Sequence, residues 1–308
     1  MSQTVFVFGI TGTQGGAVAR RLLLQQYGVQ AIVRDPNSTA ARSIASLGAK
    51  LFSGNYDDEE SLKDGINGCS GIFLNLSPDF TDQDHELRLA KTILAIAKAA
   101  GVKHVVYTSA MAANEPQRLN YWDPNGPTAR ILLPKQSIER EVRNAGFEKW
   151  TILRPGFFLA NILQPKVGMM YPGLVETNRF TTAFTTDTKL PAVDPEDIAK
   201  FAVAAFLEPD RFNTKEIAIA SELIGIDKMF EFLSSASGRD IKVVYLSEEE
   251  IDAQKAMNPR ITYQLAMRDI AQFADMDEVK SWGIPLGTLA SFLEREKEIV
   301  EKTYPKLP

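Results

Sequence analysis

Thr4 to Gly16 reads TVFVFGITGTQGG, an apolar run that breaks into glycines at Gly9, Gly12 and Gly15. Following a predicted strand and opening a predicted helix, that spacing suits phosphate chemistry. Gly9 permits a tight turn, Gly12 lets the backbone approach a pyrophosphate, and Gly15 lets the helix sit close on the strand. Thr11, Thr13 and Gln14 lie between them, where a helix N-terminus turns its amides and the positive end of its dipole toward an anion. A purely structural turn is the alternative. The second strand ends Val33-Arg34-Asp35. There an acidic residue favours a free ribose 2′-hydroxyl and an arginine accommodates a 2′-phosphate. Arg34 comes first, so NADP (NADPH) is favoured over NAD. Asp35 is the competing signal, and a solvated strand-end cation is the plainer reading of Arg34.

Other chemistries find no residues. The two histidines, His85 and His104, lie in separate predicted elements, and no H-E-x-x-H or cysteine pair offers a zinc site, so no metal is expected. His85 is expected in a polar loop before its helix and His104 at a strand start. No G-x-S-x-G elbow appears, which removes the common esterase arrangement. Cys69 is the single cysteine; it excludes an internal disulfide, fits a reducing compartment and reads as a small buried apolar residue. A net charge of -5 gives no basic stripe for phosphates, so direct nucleic-acid binding is not expected. No apolar run reaches the ~18 residues of a membrane span, and a strand beginning near Thr4 leaves no room for a cleaved leader. The expectation is a cytoplasmic, or nuclear, protein without a membrane partner. The acidic runs Asp57–Glu60 and Glu248–Glu250 read as solvated helix starts, where carboxylates meet the favourable end of the dipole.

The elements that must position the glycine loop alternate regularly. Val5–Phe8, Gln30–Val33, Gly71–Leu76, His104–Tyr107 and Thr151–Leu153 read as strands. Between them Gly15–Gln26, Leu87–Ala100 and Lys135–Ala145 carry helical patterns, the signature of βαβ units. In the second of these, Leu89, Ile93, Ile96 and Ala100 recur at helical spacing and Gly101 stops the helix. After Pro155 the pattern loosens into aromatics, Met169–Met170 and a Thr-rich stretch at 181–188 that reads as loop or edge. Asp194–Leu207 is a strong helix with Asp194 as its N-cap and Pro195 in its first turn. Glu216–Ala220 reads as a strand and Leu286–Glu301 as a closing amphipathic helix. The fold class is α/β: a Rossmann doubly wound parallel sheet with a smaller, discontinuous α+β substrate domain. The expected division is 1–155 as the NAD(P)-binding domain, with 190–220 packing back on it, and 156–189 with 221–308 as a substrate or partner domain.

Five segments together resemble the NmrA-like proteins, atypical short-chain dehydrogenases/reductases related to the isoflavone reductases. They are Gly9–Gly15, the Val33–Asp35 strand end, Gly48–Asn55, Thr151–Phe158 and Val193–Ile198. The resemblance runs from about residue 4 to 220. It implies NADP in a cleft between a Rossmann domain and a discontinuous smaller one. It also implies one of two roles. Some relatives are nitrogen-regulation or redox sensors that bind nicotinamide cofactors without turnover, and others are reductases, including enzymes of secondary metabolism.

By the same resemblance, Asn55 and Tyr56 contact the adenine, with Asn55 where the family usually has aspartate, and Asn75 and Leu76 flank the phosphates and ribose. Ser109, after the fifth strand, stands where related dehydrogenases polarise the substrate carbonyl; a serine capping a strand end is the alternative. Pro155, Gly156, Phe157 and Phe158 pass the nicotinamide, with Asn161 one turn beyond. Ser109, Phe158 and Asn161 are the substrate candidates, and inter-domain core is the alternative for both phenylalanines.

Ordinary short-chain dehydrogenases use Y-x-x-x-K, in which the lysine lowers the pKa of a proton-donating tyrosine. No tyrosine here has a lysine four residues on. At the matching helix Ile131 takes the tyrosine position and Lys135 the lysine position, and isoleucine cannot move a proton. Lys135 is then either a ribose-binding cation or, as in the isoflavone-reductase branch, the acid/base itself, because a desolvated lysine can have a depressed pKa. Pro134 before it suits a helix starting there, with Lys135 in the first turn. Tyr107, Tyr121 and Tyr171 are the tyrosines that could reach the site from other elements. Two functions stay open: an NADPH-dependent oxidoreductase for a small apolar, aromatic or polyketide-like substrate held in an aromatic cleft, or a non-catalytic NADP(H) sensor with a regulatory protein partner.

Overall fold

The computed structural model describes residues 3–305. In chain order the strands are β1 (Thr4–Val7), β2 (Gly28–Val33), β3 (Lys50–Ser53), β4 (Gly71–Leu74), β5 (His104–Thr108), β6 (Lys149–Pro155), β7 (Phe157–Phe158), β8 (Arg179–Thr182), β9 (Lys189–Val193), β10 (Lys215–Ile219), β11 (Glu222–Gly225) and β12 (Lys242–Tyr245). Seven of them form one sheet in the order β10-β6-β5-β4-β1-β2-β3. The registers from β3 across to β6 are parallel. The Thr214 N–H bonds the Trp150 carbonyl and the Gly156 N–H bonds the Ile219 carbonyl, so β10 runs the same way. This is the expected doubly wound sheet. β4 and β5 are buried along their whole length, as strands covered by helices on both faces must be.

The crossovers in the first half are α1 (Thr13–Leu24), α2 (Thr39–Ser46), α3 (Glu59–Ile66), α4 (His85–Ala99) and α5 (Pro127–Asn144). Strand order reverses between β1 and β4, since the chain first builds outward through β2 and β3 and then returns to the other side of β1. Ligands of open α/β sheets bind at such a switch point, beyond the carboxyl ends of the strands. The glycine loop follows β1 and Asn75 follows β4, so both sit there.

Tertiary contacts group the chain into two compact units. The first holds the described residues to Ala113 with Arg130–Arg154 and Ile198–Ile217; the second holds Asn114–Ala129, Pro155–Asp197 and the chain from Ala218. The first is built on a core in which Phe6, Phe8, Ile72, Tyr107, Ile138 and Val142 are fully buried. The second contains a three-stranded sheet, β11-β9-β7, and a parallel pair, β12-β8. Its Gly156 is forced by packing: a Cβ there would lie 2.1 Å from the Pro191 carbonyl oxygen.

Three local expectations are corrected. α5 begins at Pro127, not at Pro134, which stands inside the helix. Its buried face, Ala129, Leu132, Lys135, Ile138 and Val142, recurs about every three residues, and that packing outweighs the donor lost at Pro134. The closing helix is two, Leu289–Arg295 and Lys297–Thr303, broken at Glu296. His85 is not in a loop: it opens α4. Its Nε2 lies 2.7 Å from Asp57 and its Nδ1 3.0 Å from Asp79.

Candidate functional site

Gly9 has a φ of +66°, which glycine adopts without strain. A Cβ on Gly15 would lie 2.3 Å from the Gly9 carbonyl oxygen, so α1 packs directly on the end of β1. The N-cap of α1 is Gly12, no side chain caps the helix, and its first turn carries no acid. Its first amides therefore have no competing internal acceptor, and the dipole is not neutralised. Thr11 is exposed and Thr13 half-buried on the rim of this turn.

Gln14 ties the loop to the neighbouring strands. Its Nε2 donates to Asn75 Oδ1 at 3.3 Å, and its Oε1 accepts from Thr108 Oγ1 at 2.8 Å. Asn75 also packs against Gly9, where a Cβ would stand 2.9 Å from the Asn75 amide nitrogen. On the other side, the Gly9 N–H donates to the Tyr56 hydroxyl at 2.8 Å, and the Tyr56 ring lies on Phe8, 4.9 Å between centroids. Burial raises the Tyr56 phenol pKa, opposed by the Gly9 N–H and the Arg34 charge. Sequence reasoning missed Thr108 and the bracing role of Tyr56, because neither partner is near in sequence.

Arg34 is exposed at the end of β2, and no carboxylate among the described residues pairs with it. One oxygen of the Asp35 carboxylate accepts the Asn37 N–H at 2.8 Å in the turn that follows. The Asn55 side-chain oxygen likewise accepts the Asp57 N–H at 2.8 Å, which leaves its amide NH₂ as a donor at the end of β3.

Lys135 is buried in the first unit. Its ammonium donates to the Leu76 carbonyl at 2.7 Å and to Glu86 Oε1 at 2.5 Å. A lysine has three donors, so one is left. Glu86, on α4, was not foreseen; in sequence it is one more acid in a helix first turn. Its Oε2 is buried without a hydrogen-bond partner among the described residues, and the buried Ser109 and Tyr107 hydroxyls lie beside each other with no further partner there. Buried polar atoms without partners are uncommon and point to a function or a missing ligand. Burial holds the Tyr107 phenol pKa well above its usual range. Ile131 is half-buried one turn before Lys135, and Ser109 is held by its N–H on the Leu153 carbonyl at 2.8 Å.

The remaining candidates lie in the second unit. Phe157 and Phe158 form β7; Phe157 stacks on Tyr171, 6.4 Å between centroids, and Tyr171 lies edge-on to Phe180. Asn161 is half-buried in the turn of helix Leu159–Ile162. Met169 is 67% exposed. Tyr121 borders a cavity of about 290 Å³ with Trp122, Ile251 and Leu265. Cys69 is buried as expected, its thiol pushed up to about 11 by burial. Among the described residues no cluster of acids, histidines or cysteines could hold a metal, and no helix is long and apolar enough to cross a membrane.

The sheet order and the glycine turn at its switch point define a Rossmann-type α/β protein. The NmrA-like family model matches residues 1–296, and the chain belongs to that family. It is 30% identical over 258 residues to the NmrA-like family domain-containing oxidoreductase malD of Malbranchea aurantiaca, covering 79% of this chain and 75% of that one. Among solved structures it is similar to the NADPH-dependent quinone oxidoreductase QOR2 of Escherichia coli in complex with NADPH. The TM-score is 0.72 at 22% identity, over 95% of this chain and 98% of that one. It is also similar to NmrA, a negative transcriptional regulator, in complex with NADP, with a TM-score of 0.67 at 18% identity, over 99% and 95% of the two chains.

Proposed function

We propose that this protein is an NADPH-dependent oxidoreductase acting on a small apolar, aromatic or polyketide-like substrate. The observation that carries the reading is the turn at the switch point: an uncapped, acid-free helix N-terminus behind Gly9 and Gly12, beside an Arg34 that no carboxylate among the described residues pairs with, its neighbour Asp35 accepting the Asn37 N–H. The residues fit a dinucleotide. The amides of Thr13, Gln14 and Gly15 would hold the pyrophosphate, while the Gly12 N–H closes the turn on the Gly9 carbonyl at 2.8 Å; Arg34 would hold the 2′-phosphate and the free amide of Asn55 a purine edge. Asn75 and Leu76 would border the ribose, and Pro155–Phe158 are the second unit's candidates for the nicotinamide. The first unit is then the cofactor-binding part of the chain, and the second carries the substrate or partner surface.

When bound, the dinucleotide supplies a hydride from its nicotinamide ring. The chain's own residues do the rest. Lys135 is fixed by Leu76 and Glu86 and keeps one N–H, which suits a ribose hydroxyl; in this reading it is an orienting cation. The Ser109 hydroxyl, beside the buried Tyr107 phenol, would donate to a substrate oxygen, and Phe158 and Asn161 are the substrate candidates of the second unit.

A non-catalytic NADP(H) sensor is the second reading, and Ile131 in place of a tyrosine favours it. The cofactor assignment is tested with Arg34→Ala: NADPH affinity is expected to fall about tenfold or more while NADH affinity holds, since the lost charge pairs only with the 2′-phosphate. An equal effect on both would remove the NADP assignment. Oxidation of NADPH by quinones, enones or ketones separates enzyme from sensor.

A further inference from the structure

Among the described residues the buried cations are matched to acceptors. Lys135 lies on Glu86 and Arg154 on Glu139. Arg239 donates to Asn178 Oδ1, the Val175 carbonyl and the Pro305 carbonyl. Lys166, in the second unit, is half-buried, and no carboxylate or carbonyl among the described residues pairs with its ammonium. What it faces is a ring: Nζ lies 6.0 Å from the centroid of Phe158, at the outer limit of a cation–π contact.

We propose that Lys166 and Phe158 form a subsite for a conjugated anion, a carboxylate, phenolate or enolate oxygen carried on an aromatic or unsaturated frame. The oxygen would lie on the Lys166 ammonium and the frame against Phe158. The position is fixed by backbone. The Lys166 N–H bonds the Leu163 carbonyl at 3.0 Å, and its own carbonyl accepts from Met169 and Met170 as it opens the short helix Val167–Met170. Removing a cation from water without a counter-charge is unfavourable, and burial does lower the Lys166 pKa. An anion restores that loss, and a neutral isostere does not. The surroundings favour a flat ligand: Phe158 is half-buried and offers its ring beside the ammonium, while Tyr171 ends the short helix that Lys166 opens. Burial keeps the Tyr171 phenol protonated well above its usual range, so it brings no competing negative charge.

The subsite rests on the reductase reading for the identity of its occupant, an acidic or enolisable substrate, and on Lys166 alone for its existence. The probes are naphthoate and its neutral counterpart naphthalenemethanol. Lysines are ¹³C-methylated reductively and the Lys166 resonance is assigned by its absence in Lys166→Arg. Naphthoate is expected to shift that resonance and naphthalenemethanol to leave it unmoved. Naphthoate affinity should fall at least about tenfold in Lys166→Met and be largely kept in Lys166→Arg, because the loss is that of a desolvated charge pair. NADPH affinity should be the same in all three proteins. A Lys166 resonance that ignores naphthoate overturns the proposal even if Lys166→Met fails to fold. So does equal naphthoate affinity in Lys166→Met, or a parallel fall in NADPH affinity, which would assign the cation to the dinucleotide's phosphates. If NADPH is never oxidised but naphthoate still moves Lys166, the reductase reading fails and the subsite stands.

Discussion

Lys135 shows what a single residue reveals and hides. Its place in the helix, one turn after Ile131, is legible because the comparison is local in sequence. Its partner is not: Glu86 is 49 positions away on another helix, and only the packing of α4 against α5 brings the carboxylate to 2.5 Å. The pair is buried, so each charge depends on the other. Lys135→Met would leave Glu86 buried with both oxygens unmatched and is expected to lower stability by about 3–5 kcal/mol in urea unfolding. Adding Glu86→Gln should recover part of that, since the two losses are one interaction counted twice. A full additive loss in the double variant would mean the pair is not coupled. Thr108 was illegible for the same reason as Glu86: a threonine at a strand end carries no mark of the Gln14 side chain that reaches it.

At the scale of elements, strands and helices with strong periodicity were readable and their ends were not. The helix carrying Lys135 is the clearest case. Proline suits a helix first turn, so Pro134 looks like a start, yet α5 runs through it because the buried face continues on both sides. A proline there removes the bond to the Arg130 carbonyl and crowds it. Pro134→Ala is therefore expected to stabilise the protein by about 1–2 kcal/mol, net of the entropy regained by the unfolded chain. A destabilised variant would show that the proline itself is required at this position. The closing segment fails in the opposite sense. Apolar spacing runs through Leu289, Phe292, Leu293 and Val300, but Arg295 makes two bonds to Asp194, at 2.7 and 2.9 Å, and the chain leaves helical geometry at Glu296. Strands of two to four residues, such as β3, β7 and β12, carry too few residues for a periodic signal and exist through their pairing.

For the molecule as a whole, the alternation of strands and helices was sufficient for the doubly wound sheet, while the grouping of Asn114–Ala129 with the second unit left no trace in composition. The acid response is also a whole-molecule property, and the two histidines contribute with opposite sign. Hydrogen bonding to Asp57 raises the His85 pKa, so its contribution is present below about pH 6.5 and fades as pH rises through the raised value. His104 is the reverse. Burial, with the nearby Lys149 charge second, lowers it to about 4. The unfolded chain then binds the proton more readily between about pH 6.5 and 4, and stability falls across that window as pH drops. The loss is at most about 3 kcal/mol by linkage. His104 packs edge-on to Phe206, 5.0 Å between centroids, so His104→Phe is expected to fold and to flatten that part of the profile. An unchanged slope in urea unfolding at pH 5 and pH 7 would contradict the assignment.

As proposed, the glycine turn and Arg34 hold NADPH in order to react it. The direct measurement is a single-turnover experiment in which the protein, loaded with NADPH, is mixed with a panel of quinones, enones and ketones while loss of the reduced nicotinamide is followed. Oxidation is expected with at least one conjugated carbonyl compound, faster than in free solution. Tight NADPH binding with no oxidation across the panel would contradict it and leave the sensor.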